Sequence, residues 1–235
     1  MKIAGLQKLT LLDYPGKVAC TVFLDGCNFR CPFCHNSQLL EGQSEAAVTE
    51  EELIAFLRRR QGILDGVCIT GGEPTIHPQL VDLLHSIKNS GYQIKLDTNG
   101  YHPKALRGIL EEGLVDYVAM DVKNSPRLYG ETVGLPKPDL TKIEESLLLL
   151  MDGTVEYELR TTVVDPLHSK ESISDMARWL LEVGNGRKVR KWFIQPFADR
   201  ESVAVSGLRT PEYTDLELFL AQLKPCAEQV ALRGI

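Results

Sequence analysis

Three closely spaced cysteines are the residues of this 235-residue sequence that are best suited to chemistry. Cys27, Cys31 and Cys34 lie in the segment CNFRCPFCH, with three and then two residues between them. Thiolates are the usual ligands of iron–sulfur clusters, and a complete [4Fe–4S] cluster takes four of them. Three thiolates leave one iron open to a small molecule that chelates it through an amine and a carboxylate. A small molecule held there can accept an electron at a sulfonium and break a carbon–sulfur bond.

A structural zinc site is the alternative interpretation of the same segment. Zinc takes four tetrahedral ligands, and His35 is a candidate for the fourth. His35 is adjacent to Cys34, however, where tetrahedral ligation is awkward, and no second pair of Cys or His ligands follows. The other cysteines do not indicate a disulfide framework, since Cys20 and Cys68 lie in apolar stretches and Cys226 has no partner motif. The segment alone leaves both zinc and an iron–sulfur cluster open.

The composition is that of an ordinary soluble protein. Hydrophobic residues make up 43% of the chain, charged residues make up 25%, and the net charge is -6. The negative charge argues against non-specific binding to nucleic acid or to an anionic membrane surface. No apolar stretch approaches the roughly 20 residues of a membrane helix, and the N-terminal segment lacks the apolar core of a signal peptide. We therefore expect a cytoplasmic protein with no nucleic-acid or membrane partner and a single domain over residues 1–235.

Short apolar stretches alternate with helical patterns along the chain. Strands are predicted at 18–24, 66–70, 93–98, 115–123, 155–164 and 191–197, with a further short strand at 230–234. Helices are predicted after the capping box at 49–52, at 78–89, from 103, at about 140–151, at 169–183 and at 211–223. The Pro- and Gly-rich segment 124–139 is predicted to be a loop. Six strands that are each followed by a helix predict an α/β fold with a parallel sheet, which we expect to be a partial (β/α)6 TIM-like barrel.

Polar residues cluster where these strands end. In such folds the chemistry sits at the carboxyl ends of the strands. These ends carry Cys27, then Gly71, Gly72 and Glu73, then Asp97 and Asn99, then Asp121 and Lys123, then Arg160, and last Gln195. We expect them to converge on one rim of the barrel.

Most of these residues also have a purely structural interpretation. A Gly-Gly pair suits a strand-to-helix turn, and Asp97–Gly100 suits a capped turn. Arg160 can form an ion pair with Glu158 on its own strand. Asp121 and Lys123 alternate along one strand and so face the same side, where buried charges need partners. Four histidines lack the spacing of metal ligands, and we expect them to be solvated or to cap turns: His77, His85, His102 and His168.

Two segments bear a family resemblance. The segment CNFRCPFC, with the aromatic Phe33 before its third cysteine, resembles the cluster motif of the radical S-adenosylmethionine (SAM) superfamily. The segment TGGEP at 70–74 resembles that superfamily's GGE motif. The segments LTLLDYPGK, LDTNG and MDVK are similar to those of the activating enzymes of glycyl-radical enzymes. Among these, the opening segment is most similar to the activating protein of anaerobic ribonucleoside-triphosphate reductase, and the resemblance covers nearly the whole chain.

The resemblance implies an oxidoreductase with a [4Fe–4S] cluster on Cys27, Cys31 and Cys34 and with SAM on the open iron. An electron from flavodoxin or ferredoxin cleaves SAM to methionine and a 5′-deoxyadenosyl radical. This radical takes a hydrogen atom from a glycine Cα of a partner glycyl-radical enzyme, here the anaerobic (class III) ribonucleotide reductase.

The resemblance also implies which residues bind the cofactors. Gly71, Gly72 and Glu73 would lie near the SAM amino group, Lys123 and Arg160 near its carboxylate, and Phe33 near its adenine. Asp97 and Asp121 would lie near SAM, where the resemblance also allows a monovalent cation, and Asn99 and Gln195 complete the set. Ala198 stands where some relatives have a histidine that contacts SAM, which weakens the match to the pyruvate formate-lyase branch.

Three alternatives remain open at this point. The chain can activate another glycyl-radical enzyme of the pyruvate formate-lyase type, or it can be a radical SAM enzyme that acts on a small molecule. The third alternative is a non-catalytic zinc or electron-transfer protein. A short barrel without an auxiliary cluster domain leaves its mouth open, which favours a macromolecular substrate.

Overall fold

The computed structural model describes residues 1–203 and 205–234. Within these residues, eight strands form one sheet in chain order, with β1 and β8 at its edges. The strands are β1 Ile3–Thr10, β2 Ala19–Leu24, β3 Gly66–Gly71, β4 Gln93–Thr98, β5 Tyr117–Asp121, β6 Glu156–Val163, β7 Val189–Pro196 and β8 Ala227–Leu232. An open sheet whose strands alternate with helices confirms the predicted α/β fold of the partial-barrel type.

Helices follow the six strands from β2 to β7. They are α1 Glu50–Arg58, α2 Leu80–Asn89, α3 Pro103–Glu111, α4 Tyr129–Val133, α5 Leu140–Asp152, α6 Lys170–Val183 and α7 Tyr213–Leu223. In the part of the chain that the structure describes, no helix is long and apolar enough to cross a membrane.

The chain divides into two compact units. The first comprises Met1–Asn28, Gln38–Thr98 and His102–Ala119, and the second comprises Phe29–Ser37, Asn99–Tyr101 and the residues from Met120 onward. The first unit therefore holds β1 to β4 with α1 to α3, and the second holds β6 to β8 with α4 to α7.

The first unit is built around the buried strand β2. β1 pairs with β2 in antiparallel fashion, whereas β2, β3 and β4 are parallel neighbours. Five of the six β2 residues are buried, which is typical of a strand that is covered on both faces. Helix α1 begins at the predicted capping box, in which Thr49 and Glu52 each bind the other's backbone N–H. The parallel register brings the carboxyl ends of β2, β3 and β4 to the same edge.

The second unit is built around β6, β7 and β8, which are also parallel. Trp192 on β7 is fully buried, and its indole N–H donates to Thr161 Oγ1 on β6 at 3.0 Å. The predicted helix 169–183 is α6, and Ser169 is its N-cap. Trp179 of that helix packs edge-on against Tyr129, with ring centroids 6.0 Å apart. This packing covers one face of the strands and leaves their carboxyl ends for the site.

Two elements differ from the sequence predictions. The segment 124–139, predicted to be a loop, contains the short helix α4, which is stabilised by the burial of Tyr129 and ends at Gly134 with φ 68°. Five residues are too few for helical periodicity to show in the sequence. Strand β1 was not predicted, because this half-exposed edge strand has two irregularities in its pairing and lacks a clean alternation of apolar and polar residues.

Candidate active site

The loop that carries Cys27 is fixed by backbone contacts directly after β2. The Gly26 N–H donates to the Leu39 carbonyl at 2.6 Å, and the Cys27 N–H donates to the Leu40 carbonyl at 3.2 Å. The Asp25 carboxylate accepts hydrogen bonds from the backbone and the hydroxyl of Ser44. The half-buried Cys27 thiol is not in a disulfide. The first predicted cluster ligand therefore lies on an ordered loop.

Gly71 and Gly72 bring the end of β3 against the backbone of this loop. A Cβ at Gly71 would lie 2.2 Å from the Leu24 oxygen, and a Cβ at Gly72 would lie 2.0 Å from the Gly26 oxygen. The Gly72 N–H donates to Leu24 at 2.9 Å, and the Glu73 N–H donates to Gly26 at 2.8 Å. Gly71 also has φ 122°, which a residue with a side chain rarely adopts. The close approach that requires these glycines is thus one between two protein segments, and their contact with SAM stays a prediction.

Glu73 shapes the turn that follows. It is 1% exposed and accepts hydrogen bonds from the Thr75 N–H at 3.0 Å and from the Thr98 hydroxyl at 2.7 Å. His77 lies at the end of this turn, and its Nε2 is 2.6 Å from the Asp25 carbonyl, to which it donates. Burial lowers the pKa of His77, so its ring is neutral at pH 7. Glu73 and His77 therefore join the turn to β4 and to the Cys27 loop, and of the two roles expected for His77 the structure shows the capping one.

Asp97 on β4 is paired with a lysine that the sequence did not single out. The Lys95 ammonium forms an ion pair with the Asp97 carboxylate, and the exposed fractions of the two side chains are 1% and 13%. Side chains two residues apart point to the same face of a strand. The signal in the sequence was a lysine between two apolar residues, two positions before an aspartate, in a predicted strand.

In the second unit, Cys31 and Cys34 lie on one tight turn. The Cys34 N–H donates to the Cys31 carbonyl at 3.1 Å. Neither thiol is in a disulfide, and both are half-buried. Phe33 between them is 4% exposed and packs with Val164 and Phe197, and Cys31 packs against this cluster. Phe33 is therefore a core residue of the site, whereas its contact with adenine stays a prediction.

His35 is held by the segment that follows β7. Its Nε2 is 2.7 Å from the Ala198 carbonyl, to which it donates, and its ring stacks on Phe197 at 5.7 Å between centroids. These contacts give His35 a packing role beside the cysteine turn. Gln195 lies half-buried near the end of β7. The Asn99 side chain accepts a hydrogen bond from the Tyr101 N–H at 3.0 Å, which agrees with the capped turn expected at 97–100.

Asp121, Lys123 and Arg160 form a charged triad at the carboxyl ends of β5 and β6. Lys123 Nζ lies 2.7 Å from Asp121 Oδ2, and Arg160 Nε lies 3.1 Å from Asp121 Oδ1. Burial would raise the pKa of Asp121, but Lys123 and Arg160 outweigh it and lower the pKa to about 2. Burial would likewise lower the pKa of Lys123, but Asp121 and Cys31 outweigh it and raise the pKa above its ordinary value. All three groups are therefore charged at pH 7. Glu158, which the sequence offered as an alternative partner of Arg160, forms an ion pair with Arg233.

The Cys31 thiol lies within the electrostatic reach of this triad. Burial raises the pKa of Cys31 to about 11, although the Lys123 ammonium acts to lower it. The free thiol is therefore protonated at pH 7, and metal binding would have to displace its proton. Sulfur ligands and a neighbouring pair of cationic side chains suit an iron–sulfur cluster next to a carboxylate-bearing ligand.

His168 is a second residue, after Lys95, that the sequence did not assign to the site. It is 5% exposed, its Nδ1 accepts from the Val164 N–H at 3.1 Å, and its Nε2 lies 2.8 Å from the Lys123 carbonyl, to which it donates. Its ring meets that of Phe33 edge-on, 6.5 Å between centroids. Burial lowers its pKa, so the ring is neutral at pH 7. His168 is therefore not solvated; its ring caps backbone groups and joins the end of β6 to the backbone of Lys123.

Within each unit, the structure brings the predicted site residues together. The first unit joins the loop of Cys27 to Gly71, Gly72 and Glu73, and the second joins Cys31 to Lys123 and Asp121. The three thiols, none of which is in a disulfide, match the donor set of a [4Fe–4S] cluster that has one open iron.

The comparison with protein families agrees with this donor set. The protein-family model described as "Radical SAM superfamily" matches residues 21–180 of the chain. The chain belongs to the radical SAM superfamily, and its cofactors are accordingly a [4Fe–4S] cluster and SAM.

Curated relatives indicate a narrower group. The chain is 34% identical over 183 residues to MJ1227 of Methanocaldococcus jannaschii, which is named as a glycyl-radical enzyme activating enzyme, and the match covers 75% of this chain and 74% of the relative. It is 30% identical over 198 residues to the pyruvate formate-lyase-activating enzyme of Clostridium pasteurianum, covering 80% and 79% of the two chains.

A solved structure supports the fold alone. Streptococcus suis SuiB bound to S-adenosylmethionine superposes with a TM-score of 0.66 at 15% identity, covering 91% of this chain and 52% of SuiB.

Proposed function

We propose that this chain is a radical SAM activating enzyme that generates a glycyl radical on an anaerobic (class III) ribonucleoside-triphosphate reductase. Two relatives named as activating enzymes, each matched over about three quarters of its length or more, support the activating role. The choice of reductase rests on the opening segment, LTLLDYPGK. The electron donor in this proposal is flavodoxin or ferredoxin.

The proposal assigns the three thiols to the cluster and the charged triad to SAM. When bound, the cluster and SAM supply the electron transfer and carbon–sulfur cleavage that yield the 5′-deoxyadenosyl radical. The chain's own residues position the ligand and compensate its charge. Lys123 and Arg160 present two cations toward an anionic ligand group, and Asp121 holds both of them in place.

The observation that carries this proposal is the link between the triad and a predicted cluster ligand. His168 joins the two, because its ring meets Phe33 of the cysteine turn edge-on and its Nε2 donates to the Lys123 carbonyl at 2.8 Å. The Lys123 ammonium is paired with Asp121 and acts to lower the pKa of Cys31. A ligand whose carboxylate binds Lys123 is therefore held beside the cysteine turn. This is what an amino acid that chelates an open iron requires.

Activation of a pyruvate formate-lyase is the second candidate, and the Clostridium pasteurianum relative favours it. The sequence departs from that branch at Ala198, whose carbonyl accepts a hydrogen bond from His35. This departure is the second reason, after the opening segment, for ranking the reductase first.

The test is anaerobic reconstitution with iron and sulfide, followed by mixing with SAM, dithionite and each candidate partner. The reductase chain should acquire a glycyl-radical EPR signal, whereas pyruvate formate-lyase should not. The same mixture with C34A should give no signal. A signal on pyruvate formate-lyase alone would move the assignment to that enzyme. SAM cleavage without a signal on either partner would favour a small-molecule substrate, and tetrahedral zinc without SAM cleavage would overturn the enzyme assignment.

A further inference from the structure

Strand β4 carries a lysine in the interior of the first unit. Lys95 is 1% exposed and stands between Ile94 and Leu96, which are both fully buried. Its ammonium forms an ion pair with Asp97, two residues further along the same strand face. Its register partner on β3 is Cys68, whose Sγ lies 3.8 Å from Nζ. The proposed function assigns no role to Lys95.

Burial makes the pairing with Asp97 essential to this lysine. An ammonium that leaves water loses its hydration, and only a good counter-ion compensates for that loss. A thiol is a weak hydrogen-bonding group and carries no compensating charge, so Cys68 cannot fill this role. Asp97 is the carboxylate that compensates Lys95, and Lys95 in turn compensates Asp97.

We infer that Lys95 is a positioning residue of the SAM site. Its ammonium holds the Asp97 carboxylate in one orientation at the carboxyl end of β4. It also provides a fixed counter-charge, so that Asp97 does not need a cation from solution when SAM binds. This inference rests on the proposed placement of Asp97 near SAM.

The charges at the end of β5 are paired in a similar way, which supports the inference. There the carboxylate of Asp121, the last residue of β5, is paired with Lys123 in the segment that follows the strand and with Arg160 on β6. In both units, therefore, the aspartate expected near SAM has a side-chain cation as its partner.

The test uses the reconstituted protein and the variants K95M, D97N and K95M/D97N. Methionine is close to lysine in volume but has no charge. SAM affinity is measured by anaerobic equilibrium dialysis, and the EPR spectrum of the reduced cluster is recorded with and without SAM. K95M should bind SAM about tenfold more weakly, and added potassium ions should recover part of this loss. Added potassium ions should leave the SAM affinity of the wild-type protein unchanged.

The double variant shows whether Lys95 acts through Asp97. If it does, K95M/D97N should bind SAM no more weakly than D97N. The matched control is K88M, which breaks the half-exposed ion pair of Lys88 with Asp116 at 2.7 Å in the same unit. K88M should leave SAM affinity unchanged.

Three results would overturn the inference. They are wild-type SAM affinity in K95M, additive losses in the double variant, and an equal potassium response in K95M and the wild type. If K95M does not fold, the comparison of K95M/D97N with D97N still decides the question, because the double variant removes both charges of this ion pair. Glycyl-radical formation is not part of this assay, so a wrong choice of partner enzyme would not affect its outcome.

Discussion

Replacing Gly72 by alanine should break the contact between the end of β3 and the Cys27 loop. The new Cβ would lie 2.0 Å from the Gly26 oxygen, whereas real Cβ atoms essentially never come closer than 3.0 Å. The loop would therefore have to retreat by about 1 Å. That movement would also disrupt the hydrogen bond of 2.8 Å from the Glu73 N–H to the Gly26 oxygen.

Two costs add up in G72A. Overpacking in a closed interior costs about 1–3 kcal/mol, and a lost backbone hydrogen bond costs about 0.5–1.5 kcal/mol. We therefore expect a loss of about 2–4 kcal/mol in the free energy of unfolding. Because the displaced segment carries Cys27, the iron content after reconstitution should fall as well.

The matched control is G108A. A Cβ at Gly108, in helix α3 of the same unit, would meet no atom within 4 Å. Alanine in a helix interior is more stable than glycine by about 0.5–1 kcal/mol. Denaturant unfolding under anaerobic conditions and iron analysis should separate the two variants. The reasoning from close approach would be refuted if the free energy of unfolding of G72A lay within about 0.5 kcal/mol of the wild-type value and its iron content were full.

Three further predictions concern the second unit. K123M should retain its cluster, measured by iron content, but bind SAM about tenfold more weakly in equilibrium dialysis, because one of the two cations on Asp121 is removed. H168F should lose about 2–4 kcal/mol in denaturant unfolding, because the Val164 N–H and the Lys123 carbonyl both lose their partner; unchanged unfolding would contradict this role. The lowered pKa of Asp121 contributes stability that is present above about pH 4 and is lost as the pH falls through about 2. This contribution to the free energy of unfolding is about 2 kcal/mol. In D121N, the free energy of unfolding of the cluster-free chain should therefore fall less between about pH 4 and about pH 2 than in the wild type.

Most of the fold could be predicted from the sequence because its signals are local. The stretch 93–98 was predicted as a strand and is β4. The capping box at Thr49 and the proline at 103 begin helices where expected. Apolar periodicity and cap residues act over a few positions, so they can be recognised without knowledge of the tertiary structure.

The contacts that build the site could not be predicted in the same way. A Gly-Gly pair after a strand shows that some backbone comes close, but it does not show that the partner is Leu24 and Gly26. His168 binds the carbonyl of Lys123, which is 45 residues away in the sequence. Such pairings depend on which strands become neighbours, and residue spacing carries no information on that.

The two Lys–Asp pairs would suit the proposed binding of a ligand that carries both kinds of charge. An amino-acid ligand brings an ammonium and a carboxylate, and an unpaired buried charge in the protein would have to be desolvated afresh when it binds. Asp97 with Lys95 and Asp121 with Lys123 are instead compensated within each unit before any ligand arrives. A ligand bound as proposed would then meet oriented ion pairs that need little rearrangement, which is the condition under which electrostatic stabilisation is most effective. On β4 the i, i+2 spacing places both partners on one strand face, whereas Lys123 pairs with Asp121 from the segment that follows β5.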